Sequence, residues 1–172
     1  MLMKYDYKTL YEKNAAFYNS HPKAKLALRI ANTALTAVFI AAYAALWIYG
    51  LIVKLDPYEL LQIFFVPLFA LLVVSVLRLA VDRERPYSAK GAGIVPLISR
   101  KGRENDSFPS RHLACAAVIS MTFLPYLPVA GGFMLAGSIL LGYARFALGL
   151  HYPSDLLAGI AVGLICGVLI FV

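Results

Sequence analysis

The sequence contains few charged residues for its length. Only 15% of its 172 residues are charged, whereas 61% are hydrophobic and the mean hydropathy is +0.75. A soluble domain of this size needs a far larger share of polar surface, so the composition excludes an ordinary soluble protein. We therefore expect an all-α bundle of transmembrane helices, with lipid as the solvent for the apolar excess.

Acidic residues are scarcer than basic ones, and the formal net charge is +7. Nucleic acid is not the expected partner, because the basic residues form no patch with interleaved aromatic residues. They lie at the ends of apolar segments and in one polar stretch, where a membrane protein meets lipid headgroups. Membrane lipids are the expected partners, and a role in holding an anionic substrate stays open.

Cysteine is also rare, with only Cys115 and Cys166 in the chain. On membrane helices their depths differ by about 10 Å, too far for a disulfide, so both are expected to be buried apolar residues. A cleavable signal peptide is not expected either. Charged residues such as Lys4, Asp6 and Lys8 lie where its apolar core would begin.

The N-terminal residues 6–20 have aromatic and apolar side chains at helical spacing, among them Tyr7, Tyr11 and Tyr18. This pattern predicts an amphipathic helix within an interfacial segment, residues 1–25. Two interpretations stay open. The helix lies among lipid headgroups, or it packs on the protein's own polar loop.

Apolar runs predict five membrane spans. They are residues 30–53, 58–80, two shorter spans within 113–144 that are divided by proline and glycine, and 153–172. Residues 81–111 form the one long polar stretch, which we predict to be an active-site loop. Residues 1–172 are treated as one membrane domain.

Alternation of the spans brings distant polar clusters together. The second span ends, the third begins, the fourth ends and the fifth begins on the same side of the membrane as the N-terminus. The clusters at these ends, residues 78–86, 107–112 and 145–155, are therefore expected to form one site.

The first cluster contains arginine side chains that can bind an anion. Arg78 and Arg85 are seven residues apart, which predicts one helix face, and their guanidinium groups match phosphate oxygens. Arg83 is assigned to another face as an interfacial charge. Alternatively, each arginine snorkels at a helix end or pairs with Asp82 or Glu84.

The second cluster places polar groups at a helix start. Ser107 or Ser110 is expected to cap the third span, with Pro109 at its first position. Such a helix end binds anions, and His112 in the first turn can give or take a proton. Taken alone, His112 is better explained as a hydrogen-bonded structural histidine.

The third cluster contains His151 with Asp155 four residues later, and Arg145 before them. A carboxylate there can accept from one ring nitrogen and leave the other free to attack an electrophile, whose oxygens Arg145 would hold. The alternative is an aspartate that favours the helix dipole beside a histidine of no chemical role. A metal is not expected, because the surrounding arginines oppose a cation at His112, His151 and Asp155.

Together the clusters resemble the type 2 phosphatidic acid phosphatase (PAP2) superfamily of membrane lipid phosphatases. That family has the pattern K-x6-RP, PSGH and SR-x5-H-x3-D. The corresponding segments of this chain are Arg78-x6-Arg85-Pro86, Pro109-Ser110-Arg111-His112 and Ala144-Arg145-x5-His151-x3-Asp155. The resemblance covers residues 78–155, and three positions depart from it: Arg78 for lysine, Arg111 for glycine and Ala144 for serine.

The resemblance implies roles for these residues. His151 would be the nucleophile that takes the phosphoryl group, oriented by Asp155, and His112 the acid that protonates the leaving alkoxide. The phosphate cradle would consist of Arg78, Arg85, Ser110, the backbone amide of Arg111, and Arg145. No cofactor or metal is implied.

The resulting hypothesis is a phosphatase that hydrolyses a lipid phosphate or diphosphate, such as phosphatidic acid, phosphatidylglycerol phosphate, an isoprenyl diphosphate or a lipid A phosphate. The alternatives are a lipid phosphotransferase and a catalytically silent lipid-binding or transport protein. The expected location is a bacterial cell membrane. The distribution of lysine and arginine favours a cytoplasmic site, whereas the resemblance is to a family that often acts on the outer face.

Overall fold

The computed structural model describes residues 2–98 and 105–172, with side chains from residue 7 onward. Within these ranges the chain is all-helical, as predicted, and no strand forms. The helices are α1 (Leu2–Ser20), α2 (Pro22–Ile52), α3 (Pro57–Val81), α4 (Arg111–Phe123), α5 (Pro128–Ala147) and α6 (Pro153–Gly167), which a 3-10 turn, Val168–Phe171, extends. Residues 99–104 of the predicted polar loop lie outside the described residues.

Four helices among the described residues are long and apolar enough to cross a membrane. They are α2, α3, α5, and α6 together with its 3-10 extension. Each matches a predicted span, and apolar side chains on their outer faces remain exposed, as a lipid-facing surface requires. The prediction of an integral membrane protein is confirmed.

The remaining predicted span, α4, is too short to cross a bilayer by itself. Its 13 residues extend about 20 Å, against about 30 Å of hydrocarbon. It ends at Phe123, whose carbonyl accepts from the backbone N–H groups of Tyr126 and Leu127 at 3.1 and 2.7 Å. Pro125 stops further helix there, and Pro128 starts α5 at its first turn.

Helix α4 is nonetheless the centre of the bundle, because most of its side chains are buried against the neighbouring helices. Small residues on α6 allow the closest approach. A Cβ atom on Gly159 would lie 2.5 Å from the carbonyl oxygen of Ser110, and one on Gly163 would lie 2.5 Å from that of Ala114. Only glycine at these positions lets α6 pack directly on the start of α4.

The end of α3 differs from the prediction. Asp82 adopts a left-handed conformation with φ 41°, and its N–H donates to the carbonyl of Arg78 at 3.0 Å, which closes the last helical turn. Arg85 therefore lies beyond the helix. The prediction that Arg78 and Arg85 share a helix face is wrong.

Helix α1 packs on the protein itself, the second of the two interpretations left open. The hydroxyl of Tyr11 donates to the carbonyl of Val95 in the polar loop at 2.9 Å. The ring of Tyr7 lies 4.8 Å from that of Tyr152, between α5 and α6. Burial raises the pKa of Tyr11 to about 12, so its hydroxyl stays protonated at neutral pH. Leu10 on the far face is exposed.

Candidate active site

The three polar clusters meet where α3 ends and where α4 and α6 begin. Hydrogen bonds join every pair of clusters: Arg78 Nη1 to Pro109 O (3.0 Å), Arg85 Nη1 to Leu150 O (3.3 Å), and Ser107 Oγ to Asp155 Oδ2 (2.5 Å). Each of these bonds links residues more than thirty positions apart. The convergence expected from alternating spans is present in the structure.

Most of the predicted site residues are buried. The buried ones are Arg78, Arg85, Ser110, Arg145, His151 and Asp155. His112 is half-buried and Arg111 is exposed. Ala144, where the sequence pattern has serine, is buried among apolar side chains. Buried arginines are costly unless partners or a bound anion compensate their charge, and three of them lie in this region.

His151 is held by a backbone carbonyl. Its Nδ1 atom donates to the carbonyl oxygen of Ser107 at 3.0 Å, while Asp155 Oδ2 lies farther away at 3.7 Å. A carbonyl oxygen only accepts, so Nδ1 carries the proton and Nε2 has a free electron pair. The sequence predicts the carboxylate of Asp155 as the partner of this nitrogen, but the nearer partner is the carbonyl of Ser107.

The surroundings of His151 keep its ring neutral. Burial is the main cause that lowers its pKa to about 4, and the charges of Arg85 and Arg145 lower it further, against the opposing effect of Asp155. A ring with this pKa stays unprotonated at neutral pH. An imidazole that is neutral, buried and protonated on Nδ1 is the form that attacks through Nε2.

These features predict an NMR signature for His151. With 15N-labelled histidine in detergent micelles, its ring is expected to show the neutral Nδ1–H tautomer throughout pH 5 to 8, because its pKa lies near 4. The chain has three histidines, so single substitutions of His21, His112 and His151 assign each signal. A His151 signal that titrates near the ordinary value of about 6.5 would contradict this description.

Asp155 is the hub of the buried network. Its Oδ1 accepts from Arg83 Nη1 at 2.7 Å, and its Oδ2 accepts from Ser107 Oγ at 2.5 Å and from the backbone N–H of Tyr152 at 3.0 Å. Its side chain is fully buried. Because Asp155 binds Ser107, it also fixes the carbonyl that holds His151.

Arg83 and Ser107 are functional candidates whose contacts the sequence did not predict. Ser107 was a candidate cap of the third span, but the N-cap is Ser110, and the hydroxyl of Ser107 donates to Asp155 instead. Arg83 was assigned to an interfacial position on α3, which is wrong because the chain leaves the helix at Asp82. Its guanidinium instead reaches α6, where it bonds Asp155 and lies 4.3 Å from the centre of the Tyr152 ring. The available signal was Asp155 itself, since a carboxylate at the start of a membrane span calls for a nearby cation.

The start of α4 offers donors to an anion. Ser110 is the N-cap residue, but its side chain makes no cap hydrogen bond, and Pro109 precedes it rather than beginning the helix as expected. Within the described part of the chain, Ser110 Oγ and Arg78 Nε are buried without a hydrogen-bond partner. Buried donors of this kind call for a ligand, and a helix N-terminus favours an anionic one.

Comparison with known proteins relates this chain to a family of known membrane proteins. The model of the PAP2 superfamily matches residues 59–172. The chain is 32% identical over 102 residues to the lipid A 1-phosphatase of Rhizobium johnstonii, an alignment that covers 59% of this chain and 42% of that protein. It is 32% identical over 96 residues to the lipid A 1-phosphatase of Rhizobium etli, covering 55% of this chain and 41% of that protein. The chain thus spans less than half the length of these relatives.

Solved structures share the fold. The crystal structure of Aquifex aeolicus LpxE superposes with a TM-score of 0.69 at 20% identity and covers 93% of both chains. The transmembrane PAP2 type phosphatidylglycerolphosphate phosphatase from Bacillus subtilis superposes with a TM-score of 0.50 at 21% identity, covering 99% of this chain and 95% of that one. The family model covers most of the chain and includes all three polar clusters. This chain therefore belongs to the PAP2 superfamily.

Proposed function

We propose that the protein is a phosphatase that removes a phosphate group from a membrane lipid through a phosphohistidine on His151. The observation that carries this proposal is the state of the His151 ring, which is buried, neutral and protonated on Nδ1, at a point where buried arginines converge. A histidine in that state has one chemical use that fits its neighbours, nucleophilic attack on an anionic electrophile.

The reaction proceeds in two displacements. Nε2 of His151 attacks phosphorus, and the bond from phosphorus to the lipid oxygen breaks while His112 donates a proton to that oxygen. A water molecule then attacks the phosphohistidine, with His112 now accepting its proton. The N–P bond breaks, and inorganic phosphate and neutral His151 are restored.

The arginines supply the charge stabilisation that such a displacement requires. In this proposal the phosphate oxygens are held by Arg78, Arg85, Arg145, the hydroxyl of Ser110 and the backbone amide of Arg111. Guanidinium groups in a buried site stabilise the added charge of the transition state without reorganisation. The buried donors Ser110 Oγ and Arg78 Nε support this assignment.

A lipid is the proposed source of the phosphate. The chain's curated relatives are named lipid A 1-phosphatases, and the site lies among membrane-spanning helices. A substrate with its hydrocarbon in the bilayer reaches such a site without leaving the membrane. The contact between Tyr7 of α1 and Tyr152 beside the site supports the proposal that the site faces the same side as the N-terminus.

The purified protein in detergent is expected to release inorganic phosphate from one or more members of a panel of lipid phosphates and diphosphates. Excess EDTA is expected to change the rate by less than about twofold, because in this proposal arginines, and not a metal ion, stabilise the charge on the phosphate. Within residues 2–98 and 105–172, no group of three or more His, Cys, Asp or Glu side chains is placed to hold a metal ion. Strong inhibition by EDTA, or transfer of labelled phosphate to lipid instead of water, would contradict the proposal.

A further inference from the structure

We infer that Tyr7 of the N-terminal helix is a positioning residue for the reaction. Its ring holds Tyr152 against Arg83, and Arg83 in turn stays paired with the buried carboxylate of Asp155. This inference rests on the proposed function and adds to it a residue that none of the three polar clusters contains. We call these four side chains the aromatic column.

Burial alone does not fix Arg83. Its side chain is 34% exposed, whereas that of Asp155 is fully buried. It starts just beyond the end of α3 and reaches α6, where Nη1 donates to Asp155 Oδ1 at 2.7 Å and to Ser154 Oγ at 2.8 Å. A partly exposed arginine loses rotamer freedom in such a pair and competes with water for it. A contact that restricts the guanidinium therefore favours the pair with Asp155.

The ring of Tyr152 provides that contact. Its centre lies 4.3 Å from Arg83 Cζ, within the range of a cation–π interaction. The backbone N–H of the same residue donates to Asp155 Oδ2 at 3.0 Å. Tyr152 thus contacts both members of the ion pair, one through its ring and the other through its backbone. The position of this ring consequently affects the geometry of the pair.

Tyr7 packs against the Tyr152 ring from α1. The two ring centres are 4.8 Å apart, and Phe146 meets Tyr7 edge to face at 6.0 Å. Tyr7 is buried, and within the described part of the chain its hydroxyl has no hydrogen-bond partner, so the ring makes the contact. A smaller side chain here leaves a cavity beside Tyr152 and gives its ring freedom to move away from Arg83.

Helix α1 has anchors on the same face as Tyr7. One turn further on, the ring of Tyr11 lies directly on the backbone at Gly149, where a Cβ atom would be 2.8 Å from it. Asn14 Nδ2 then donates to the carbonyl of Ala147 at 2.9 Å. Both contacts attach α1 to the end of α5 and to the turn that follows it. Tyr7 is therefore a fixed support for the column.

The first test compares variants on the panel lipid that the unmodified protein hydrolyses fastest. Tyr7→Leu is expected to lower kcat by about 3- to 30-fold, the range that corresponds to loss of a cation–π contact. KM is expected to change by less than about twofold, because the column does not touch the substrate. Tyr7→Phe keeps the ring and is expected to restore kcat. Tyr18→Leu is the matched control, since Tyr18 is a buried ring of the same helix that packs on Leu28 and Ala147, away from the column.

A double variant shows whether Tyr7 acts through Arg83. The kcat of Tyr7→Leu combined with Arg83→Met is expected to equal that of Arg83→Met alone, because two residues that act through one contact are not additive. Tyr152→Leu removes the next ring of the column and is expected to give the same loss as Tyr7→Leu. The inference therefore stays testable if Tyr7→Leu does not fold.

The 15N signal of His151 reports on the column without turnover. The charged groups that act on this ring are Arg85, Arg145 and Asp155. When Arg83 is released, the charge of Asp155 is uncompensated and favours the protonated ring. In Tyr7→Leu the pKa of His151 is therefore expected to move upward from about 4, whereas Tyr18→Leu leaves it in place.

Four results overturn the inference. They are the same loss of kcat in Tyr18→Leu, the same loss in Tyr7→Phe, losses that multiply in the double variant, and a His151 signal that does not move in Tyr7→Leu. A moved His151 signal in a protein that releases no phosphate from any lipid of the panel supports the column and overturns only the proposed function.

Discussion

Replacing His151 with glutamine is expected to lower phosphate release from a lipid phosphate by at least about 10⁴-fold, the scale on which removal of a covalent nucleophile acts. Glutamine approximates the size of the ring and its amide can still donate to the carbonyl of Ser107, the present partner of Nδ1. What it lacks is the electron pair of Nε2. The loss is therefore chemical, and KM for the substrate is expected to change little.

The matched control is His21→Gln. His21 is exposed at the junction of α1 and α2, where its ring stacks on Phe17 with centroids 4.5 Å apart, and it has no part in the proposed site. The control is expected to retain activity. In the unmodified protein, a rapid acid quench should trap an acid-labile phosphate on His151. Turnover by His151→Gln at the rate of the control would show that water attacks the substrate directly and would exclude the phosphohistidine.

Replacing Asp155 with asparagine is expected to lower the rate by about 10²- to 10⁴-fold. The upper figure is the loss of about 10⁴-fold caused in a serine protease when the carboxylate that positions the catalytic histidine is neutralised. The carboxylate accepts from Ser107, Tyr152 and Arg83 at once. An amide offers one acceptor oxygen in place of two and turns a donor toward one of these groups. The carbonyl of Ser107 then loses its support, and the His151 tautomer becomes mixed.

Substitution of Arg83 tests whether Asp155 acts through this hydrogen-bond network. In Arg83→Met the carboxylate loses its cation, and its uncompensated charge raises the pKa of His151, against the lowering effect of Arg85 and Arg145. A raised pKa means that the ring protonates at higher pH, so the acid limb of the activity profile moves upward. Arg83→Lys keeps the charge and is expected to restore the profile in part.

The combination of variants separates two descriptions of the site. If Arg83→Met keeps full activity and an unchanged pH profile while Asp155→Asn is inactive, the carboxylate acts on His151 directly and the pair with Arg83 is dispensable. A fall in stability alone would lower the amount of folded enzyme without moving the pH profile or the His151 NMR signal. These two readouts therefore report on positioning rather than on folding.

Sequence alone determined the class of the molecule and the neighbourhood of its site. The lengths of the apolar runs set how many times the chain can cross a bilayer, because each crossing needs about twenty apolar residues. Alternation of crossings then brings the clusters that begin at Arg78, Ser107 and Arg145 to one side. These conclusions follow from the order and spacing of residues along the chain. The structure agrees on four of the five spans and on the meeting of the clusters, whereas α4 is too short to cross a bilayer by itself.

Only the tertiary structure decided which groups touch. The left-handed residue Asp82 ends α3 and redirects Arg83 toward Asp155, 72 positions away. The partner of His151 is the carbonyl of Ser107, a group that every residue has and that no sequence pattern marks. Such contacts depend on the path of the backbone after a helix ends and on the direction of individual hydrogen bonds. Packing determines the backbone path and the hydrogen-bond directions, and neither of them repeats along the chain at an interval that the sequence could reveal.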